Sequence, residues 1–270
     1  MNNGGGALGN KFVVIGGNMN GIVGVVLAGG EATRLGELTR ITNKHLLPIG
    51  RLPMVYYPLK RLEEAGIKEI CLVTGQNHAG DFIDVLGDGR VINRDGKLVI
   101  DVNLTYKVQK RAGGIAEALG LTKHFVGEDK VVVILGDNII GGSIKLYVDA
   151  FRKQRGGARL LLKKVKDPWR FGVVEIKNGK IVNIVEKPKK PKSNIIQIGV
   201  YMYDNSIFSI VSKLKPSARE ELEITDVNMH YVRNGNAEFD ILKHWWTDAG
   251  TLDSLMEANK KAFSGASEAF

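Results

Sequence analysis

Residues 21–35 read GIVGVVLAGGEATRL. The run Ile22 to Ala28 is apolar and rich in β-branched residues with no alternating polar positions, as expected of a strand buried on both faces of a parallel sheet. It leads straight into Gly29-Gly30, a turn in which backbone N–H groups can approach a polyphosphate with no Cβ in the way. Four residues on stands Arg34, whose guanidinium can clamp phosphate charge. The turn matches neither the G-x-G-x-x-G dinucleotide fingerprint nor the G-x-x-x-x-G-K-[ST] P-loop. Taken alone, it reads equally well as a plain strand-to-helix turn.

Outward from this motif, short apolar runs alternate with helix-length patterns, the signature of βα units. Further strands are predicted at Glu69 to Thr74, Leu104 to Val108, Val131 to Leu135 and Ala158 to Val165. Apolar residues at helical spacing (Val55, Leu59, Leu62) predict a helix over Leu52 to Ala65, stopped by Gly66. After about residue 160 the character changes. Val173 to Ile176 and Ile181 to Val185 flank Asn178-Gly179, a hairpin signal, and Gln197 to Tyr203 reads as another strand. The expected fold is one α/β domain with a mixed, mostly parallel sheet and an antiparallel elaboration, spanning residues 21–263. Residues 1–20, rich in glycine and asparagine, are expected to be an extension or tag, and 264–270 a short tail. A helix is expected over Leu252 to Phe263, packing through Leu252, Leu255, Met256 and Phe263.

A length of 270 residues suffices for a large buried core, and the balance of 44% hydrophobic and 25% charged residues argues against global disorder. The lone cysteine, Cys71, cannot form an intrachain disulfide, so a cytoplasmic setting is the expectation. No apolar run nears the roughly 18 residues of a membrane span. The net charge of +9 is uneven: residues 151–200 hold fourteen lysines and arginines against Asp167, Glu175 and Glu186, a net +11, which leaves −2 for the rest. Such a concentration predicts an anionic partner, either phosphates in a cleft or a nucleic acid along a face. If a cleft, a few cations among Lys163, Lys164, Arg170 and Lys187 should converge there.

Ten residues after Arg34, Lys44 in NKHLLPIG offers a second cation that the same loop could fold over phosphates. The stretch GGEATRLGELTRITNKHLLPIGRLPMVYYPL resembles the sugar nucleotidyltransferases, most closely the glucose-1-phosphate thymidylyltransferase family. QKRAGGIAEA (Gln109 to Ala118), LGDN (Leu135 to Asn138), RFGVVE (Arg170 to Glu175), EKPKKPKSN (Glu186 to Asn194), KPSAREELEITDVN (Lys215 to Asn228) and WWTDAGTLDSL (Trp245 to Leu255) continue the resemblance in order, over about residues 22–262.

The resemblance implies a Rossmann-like nucleotidyltransferase fold. The implied reaction is Mg²⁺-dependent transfer from dTTP, or UTP, to glucose-1-phosphate with release of pyrophosphate. It assigns catalytic contacts to Arg34 and Lys44 on the triphosphate and Lys187 on the sugar phosphate. Nucleotide binding falls to Leu27, Gly29, Gly30, Thr33, Gln109 and the backbone at Gly114, sugar binding to Asn138, Gly172, Glu186 and Arg219. Asp137 and Asp248 are implied as Mg²⁺ ligands; each alone reads more readily as a turn-forming aspartate, and the two together favour metal. Gln109 offers an amide that could face the base either way round. Glu175 is expected to face solvent.

Several residues depart from the family pattern: Ala32 for a third glycine, Lys110-Arg111 for a proline-containing turn, Glu117 for a glutamine, and Glu220 for a glycine beside Arg219, where its carboxylate could compete for that cation. The chain ends at Phe270, where longer thymidylyltransferases continue into helices tied to a regulatory site, so product inhibition is expected only at the active site. A homo-oligomer is left open. The competing classes are uridylyl or cytidylyl transfer, a non-catalytic nucleotidyltransferase-like subunit binding RNA, and a Rossmann oxidoreductase, which lacks its fingerprint. The joint presence of Arg34, Lys44, Asp137 and Asp248 favours the enzyme, with neither a nucleic-acid nor a membrane partner expected.

Overall fold

Ile22–Ala28 is the central strand, β1, of the main sheet in a computed structural model that describes residues 21–30 and 33–264. The expected extension at 1–20, Ala32 and all of the tail beyond Ser264 lie outside the described residues. In chain order the sheet continues with β2 (Glu69–Gly75), β3 (Asn103–Gln109), β4 (Lys130–Leu135), β5 (Ala158–Lys164), β6 (Gly172–Lys177), β7 (Lys180–Glu186), β8 (Ile195–Tyr203) and β9 (Ala237–Ile241). The spatial order is β7-β6-β8-β4-β1-β2-β3, and β5 pairs with both β8 and β9.

From β3 to β4 the strands run parallel; β8 joins antiparallel to β4, and β6 with β7 forms the expected hairpin. Both faces of β1 are covered. Val26 and Ala28 join a cluster with Leu59, Leu62 and Leu72 on one side, and Val23, Val25 and Leu27 join Cys71, Val131 and Val133 on the other. This explains the unbroken apolar run. Gly24 is required by close packing, because a Cβ there would lie 2.9 Å from Leu62 Cδ1.

The Leu52 to Ala65 expectation is too long. The helix is Tyr56–Glu64, and Leu52–Pro53 forms a two-residue ribbon with Pro48–Ile49. Pro53 disfavours helical backbone at Leu52, while Pro58 is tolerated in the first turn. The Leu252–Phe263 helix has the expected bounds and a Thr251–Ser254 capping box, but turns a different face inward. Leu255 and Ala258 are buried, whereas Leu252, Met256 and Phe263 are exposed. Asn259 fixes this rotation: its Oδ1 accepts from Gly50 N and its Nδ2 donates to Pro48 O. Among the described residues no helix is long and apolar enough to cross a membrane.

Candidate active site

From β1 the chain builds β2 and β3 on one side and then returns to place β4 on the other. The crevice at the carboxyl ends of β1 and β4 is therefore the switch point at which open α/β sheets bind ligands. A cavity of about 370 Å³ opens there. Leu27, Gly29, Gly30, Arg34, Lys44, Gln109 and Gly114 line one part of it. Asp137, Asn138, Gly172, Glu186, Lys187, Arg219 and Asp248 line the rest. Thr33 opens the short 3₁₀ segment Thr33–Thr39, and its side chain lies outside the described set.

Asp137 leaves β4 one residue after Gly136, whose N–H donates to Leu27 O at 2.8 Å. Asp248 ends the strand Trp246–Asp248, which pairs antiparallel with Asn138–Ile140 in the register Asp248 to Asn138. That ribbon brings together two carboxylates 111 positions apart. A Cβ on Gly250 would lie 2.6 Å from Asp248 Oδ1 and 3.6 Å from Asp137 Oδ2, so both acids crowd this glycine. Burial, and then the charge of Asp137, pushes the Asp248 carboxyl up to about 6. Burial acts the same way on Asp137, but the Lys44 ammonium overrides it and holds that carboxyl well below the usual carboxylate range. Among the described residues no group of three or more His, Cys, Asp or Glu is placed to hold a metal ion. A cation here would have two carboxylates and would complete its shell with water and phosphate oxygens, the habit of Mg²⁺. The donor set fits.

Lys44 forms an ion pair with Asp137. Its loop is fastened to β1 by Asn43, whose Nδ2 donates to Ala28 O at 3.3 Å and whose Oδ1 accepts from both His45 N and His45 Nδ1. Burial, with the neighbouring Lys44 charge, drives His45 down to about 3, so its imidazole is neutral and held. Sequence reasoning missed Asn43 and His45 as supports.

Gln109, at the end of β3, settles the amide ambiguity. Its Nε2 donates to Glu117 Oε1 at 3.3 Å and to Gly114 O at 3.4 Å. A carboxylate and a carbonyl only accept, so the amide oxygen is left facing Gly29 and the cavity. Glu117, singled out only as a departure, thus orients the side chain beside it, and Arg111 donates to its other oxygen at 2.9 Å. Gly114 has φ +96° and a Cβ there would lie 2.6 Å from Leu222 O. Glycine alone combines that backbone with that contact.

At the other end, Asn138 Oδ1 accepts from Gly199 N at 2.9 Å and from Trp246 Nε1 at 2.7 Å, which turns its amide nitrogen to Asp137. Arg219 is held by Glu223 in a two-point contact at 2.7 and 2.8 Å, with Glu221 and Glu186 further off. The expected competitor, Glu220, is not among its partners: it takes a left-handed φ of +59°, the conformation that suits a glycine, and the side chain that reaches back is Glu223, four residues on. Glu175 is also corrected. It is largely covered and accepts from Asn183 Nδ2 at 2.9 Å across the hairpin. Of the basic segment, Arg170 and Lys187 line the cavity. Lys163 instead donates to Leu242 O and His244 O, and Lys164 lies on a separate shallow surface.

The chain belongs to the nucleotidyl transferase family, whose pattern matches residues 23–265. Within it, the chain is 41% identical over 239 residues to a glucose-1-phosphate thymidylyltransferase of Neisseria meningitidis, covering 87% of this chain and 80% of that one. The Mycolicibacterium smegmatis protein of the same name is 40% identical over 240 residues, with the same coverage. A solved Bacillus anthracis chain, described as a candidate glucose-1-phosphate thymidylyltransferase in complex with a sucrose, superposes with a TM-score of 0.83 at 49% identity, over 90% of this chain and 95% of that one.

Proposed function

We propose that the protein joins dTTP to glucose-1-phosphate, giving dTDP-glucose and pyrophosphate, with Mg²⁺ as the divalent ion. The observation that carries this reading is the cavity at the β1/β4 switch point, where Arg34, Lys44, Lys187 and the carboxylates of Asp137 and Asp248 converge from four separate sequence blocks. Named relatives at about 40% identity over most of both chains support the choice of substrates.

A sugar phosphate is mostly dianionic near neutral pH, its second pKa being about 6. It attacks the α-phosphorus without a general base, consistent with a cavity in which His45, the one imidazole among its described lining residues, is buried and committed to Asn43. The protein's task is alignment and charge neutralisation. The Gly29-Gly30 turn and Arg34 receive the triphosphate. Lys44 turns from Asp137 to the phosphates, Lys187 holds the attacking phosphate, and Glu186, Asn138 and Arg219 orient the sugar. Asp137 and Asp248 would hold Mg²⁺, whose charge offsets that building on the phosphate oxygens. The amide oxygen of Gln109 accepts from N3–H of thymine. Cytosine offers a lone pair at that position and is disfavoured, while uracil differs only by a methyl that this contact does not sense, so UTP serves as a second substrate.

A cytoplasmic setting and a homo-oligomer belong to the same reading; a nucleic-acid partner does not, because the basic segment sends Arg170 and Lys187 to the cavity. A panel crossing four triphosphates with several sugar 1-phosphates tests the assignment. The highest kcat/KM is expected for dTTP with glucose-1-phosphate, with UTP next; a clear preference for CTP or GTP would sink it.

A further inference from the structure

Behind the sugar end of the cavity, β8 and the helix Ile224–Arg233 enclose a line of buried polar side chains. Tyr203 and Asn228 are fully buried, and Thr225 and Gln197 nearly so. The Tyr203 hydroxyl donates to Asn228 Oδ1 at 2.5 Å, and Asn228 Nδ2 donates to Gln197 Oε1 at 2.8 Å. Gln197 Nε2 donates to Thr225 Oγ1 at 2.8 Å, and Thr225 Oγ1 donates to Glu186 Oε2 at 2.6 Å.

Only one polarity satisfies every group. An ionised carboxylate accepts and cannot donate, so Thr225 must spend its proton on Glu186. Thr225 then accepts from the amide nitrogen of Gln197, Gln197 from that of Asn228, and Asn228 from the tyrosine hydroxyl. Four donors in series point at one carboxylate oxygen, and in a low-dielectric interior each polarises the next. Burial raises the tyrosine pKa well above its ordinary value, so it stays a donor at any working pH. Gly172 leaves the room required: a Cβ there would lie 2.5 Å from Gln197 Nε2. The other oxygen, Oε1, faces Lys187 at 3.7 Å and Arg219 at 3.9 Å, both of which line the cavity.

We propose that Tyr203, Asn228 and Gln197 are positioning residues for the sugar-binding carboxylate. Their one-way hydrogen-bond chain ties one oxygen of Glu186 to the protein, so that the other is presented at a fixed angle to the hydroxyls of the sugar 1-phosphate. Tyr203 and Asn228 do not line the cavity and act only through the chain. The inference rests on the reading of Glu186 as a sugar contact.

Tyr203→Phe removes one buried oxygen and keeps the ring. It is expected to raise KM for glucose-1-phosphate about three- to tenfold, the value of one hydrogen bond, and to leave KM for dTTP within about twofold. Gln197→Met, which cuts the chain one link from Thr225, should raise the same KM further, whereas Thr225→Ser keeps the hydroxyl and should preserve it. Thermal melts of each variant identify loss of folding. Parallel rises in both KM values, or no rise in either for a folded Tyr203→Phe, would overturn the proposal. Glu186→Gln is assayed beside them. If it leaves the sugar-phosphate KM unchanged, the sugar-site reading itself fails and the positioning role falls with it; if it raises that KM while Tyr203→Phe does not, only the positioning role fails.

Discussion

Asp248→Asn should make the metal-free protein more stable and nearly inactive. In the folded state the Asp248 carboxyl titrates near 6, against 3.8 for an unperturbed group, because burial and then Asp137 oppose its charge. A raised folded pKa favours the fold while the group is protonated and is a liability once it ionises. The cost is absent well below pH 3.8, reaches about a third of its full size at pH 4.5, and is complete above pH 7. The full shift converts to roughly 3 kcal/mol, and water in the open cavity reduces this to about 1–2 kcal/mol. Asparagine keeps the oxygen that accepts from Gly250 N and sheds only the charge. In a chelating buffer at pH 7.5, calorimetry should show a melting temperature about 3–6 °C higher than wild type, shrinking markedly at pH 4.5. Turnover should fall by about a hundredfold or more with Mg²⁺ present. An equal shift at both pH values, or a lower melting point at pH 7.5, would refute the electrostatic argument.

Lys44→Met should show the opposite pH dependence. The folded pKa of Asp137 is depressed through Lys44, so the pair's stability is present above the ordinary carboxylate pKa and lost as acid protonates Asp137. Melts should show a loss of about 3 kcal/mol at pH 7.5 that fades below pH 4. Gly114→Ala, with φ +96° and a 2.6 Å approach to Leu222 O, should lower stability by about 2 kcal/mol or more and raise KM for dTTP, read from melts and initial rates. Gln109→Leu should raise KM for dTTP by about tenfold and leave that for glucose-1-phosphate unchanged in the same rate assays.

The sheet was legible because its strands are marked by composition as well as period. β1 reads as a buried parallel strand over its full observed length, and Asn178-Gly179 marks the hairpin turn. Boundaries failed where a proline or a side-chain contact outweighed periodicity. Pro53 cut the first helix short, and Asn259 set the rotation of the last one, leaving Met256 and Phe263 outside. The groups expected to meet substrate were carried by local blocks around Gly29, Asp137 and Asp248. Their supports were not, since an Asn43, Glu117 or Thr225 acquires its role from a partner that folding alone brings near. One signal was nevertheless present. Gln197 is a polar residue inside IIQIGVYMY, and such a residue in a buried strand must find partners within the fold.

The pairings also explain how a cavity so rich in cations stays folded without its substrates. Lys44 is held by Asp137, Arg170 by Asp167 at 2.8 Å, Arg219 by Glu223 at 2.7 Å, and Lys187 lies 3.7 Å from Glu186. Unpaired, such charges would repel one another across the cavity, most of all at Lys44, the most buried of the four. Paired, they are held in place, and on the proposed function an arriving phosphate would exchange one anionic partner for another. The exchange is least symmetric at Lys44, because its departure leaves Asp137 buried beside Asp248 with two negative charges facing one glycine. Uptake of a proton by Asp248 or arrival of a second cation at the carboxylates would relieve that state. If the proposed function holds, triphosphate and divalent ion would bind with positive coupling, each strengthening the other by the same factor. Such coupling would arise from the chain's own charge arrangement, through the Lys44–Asp137 ion pair.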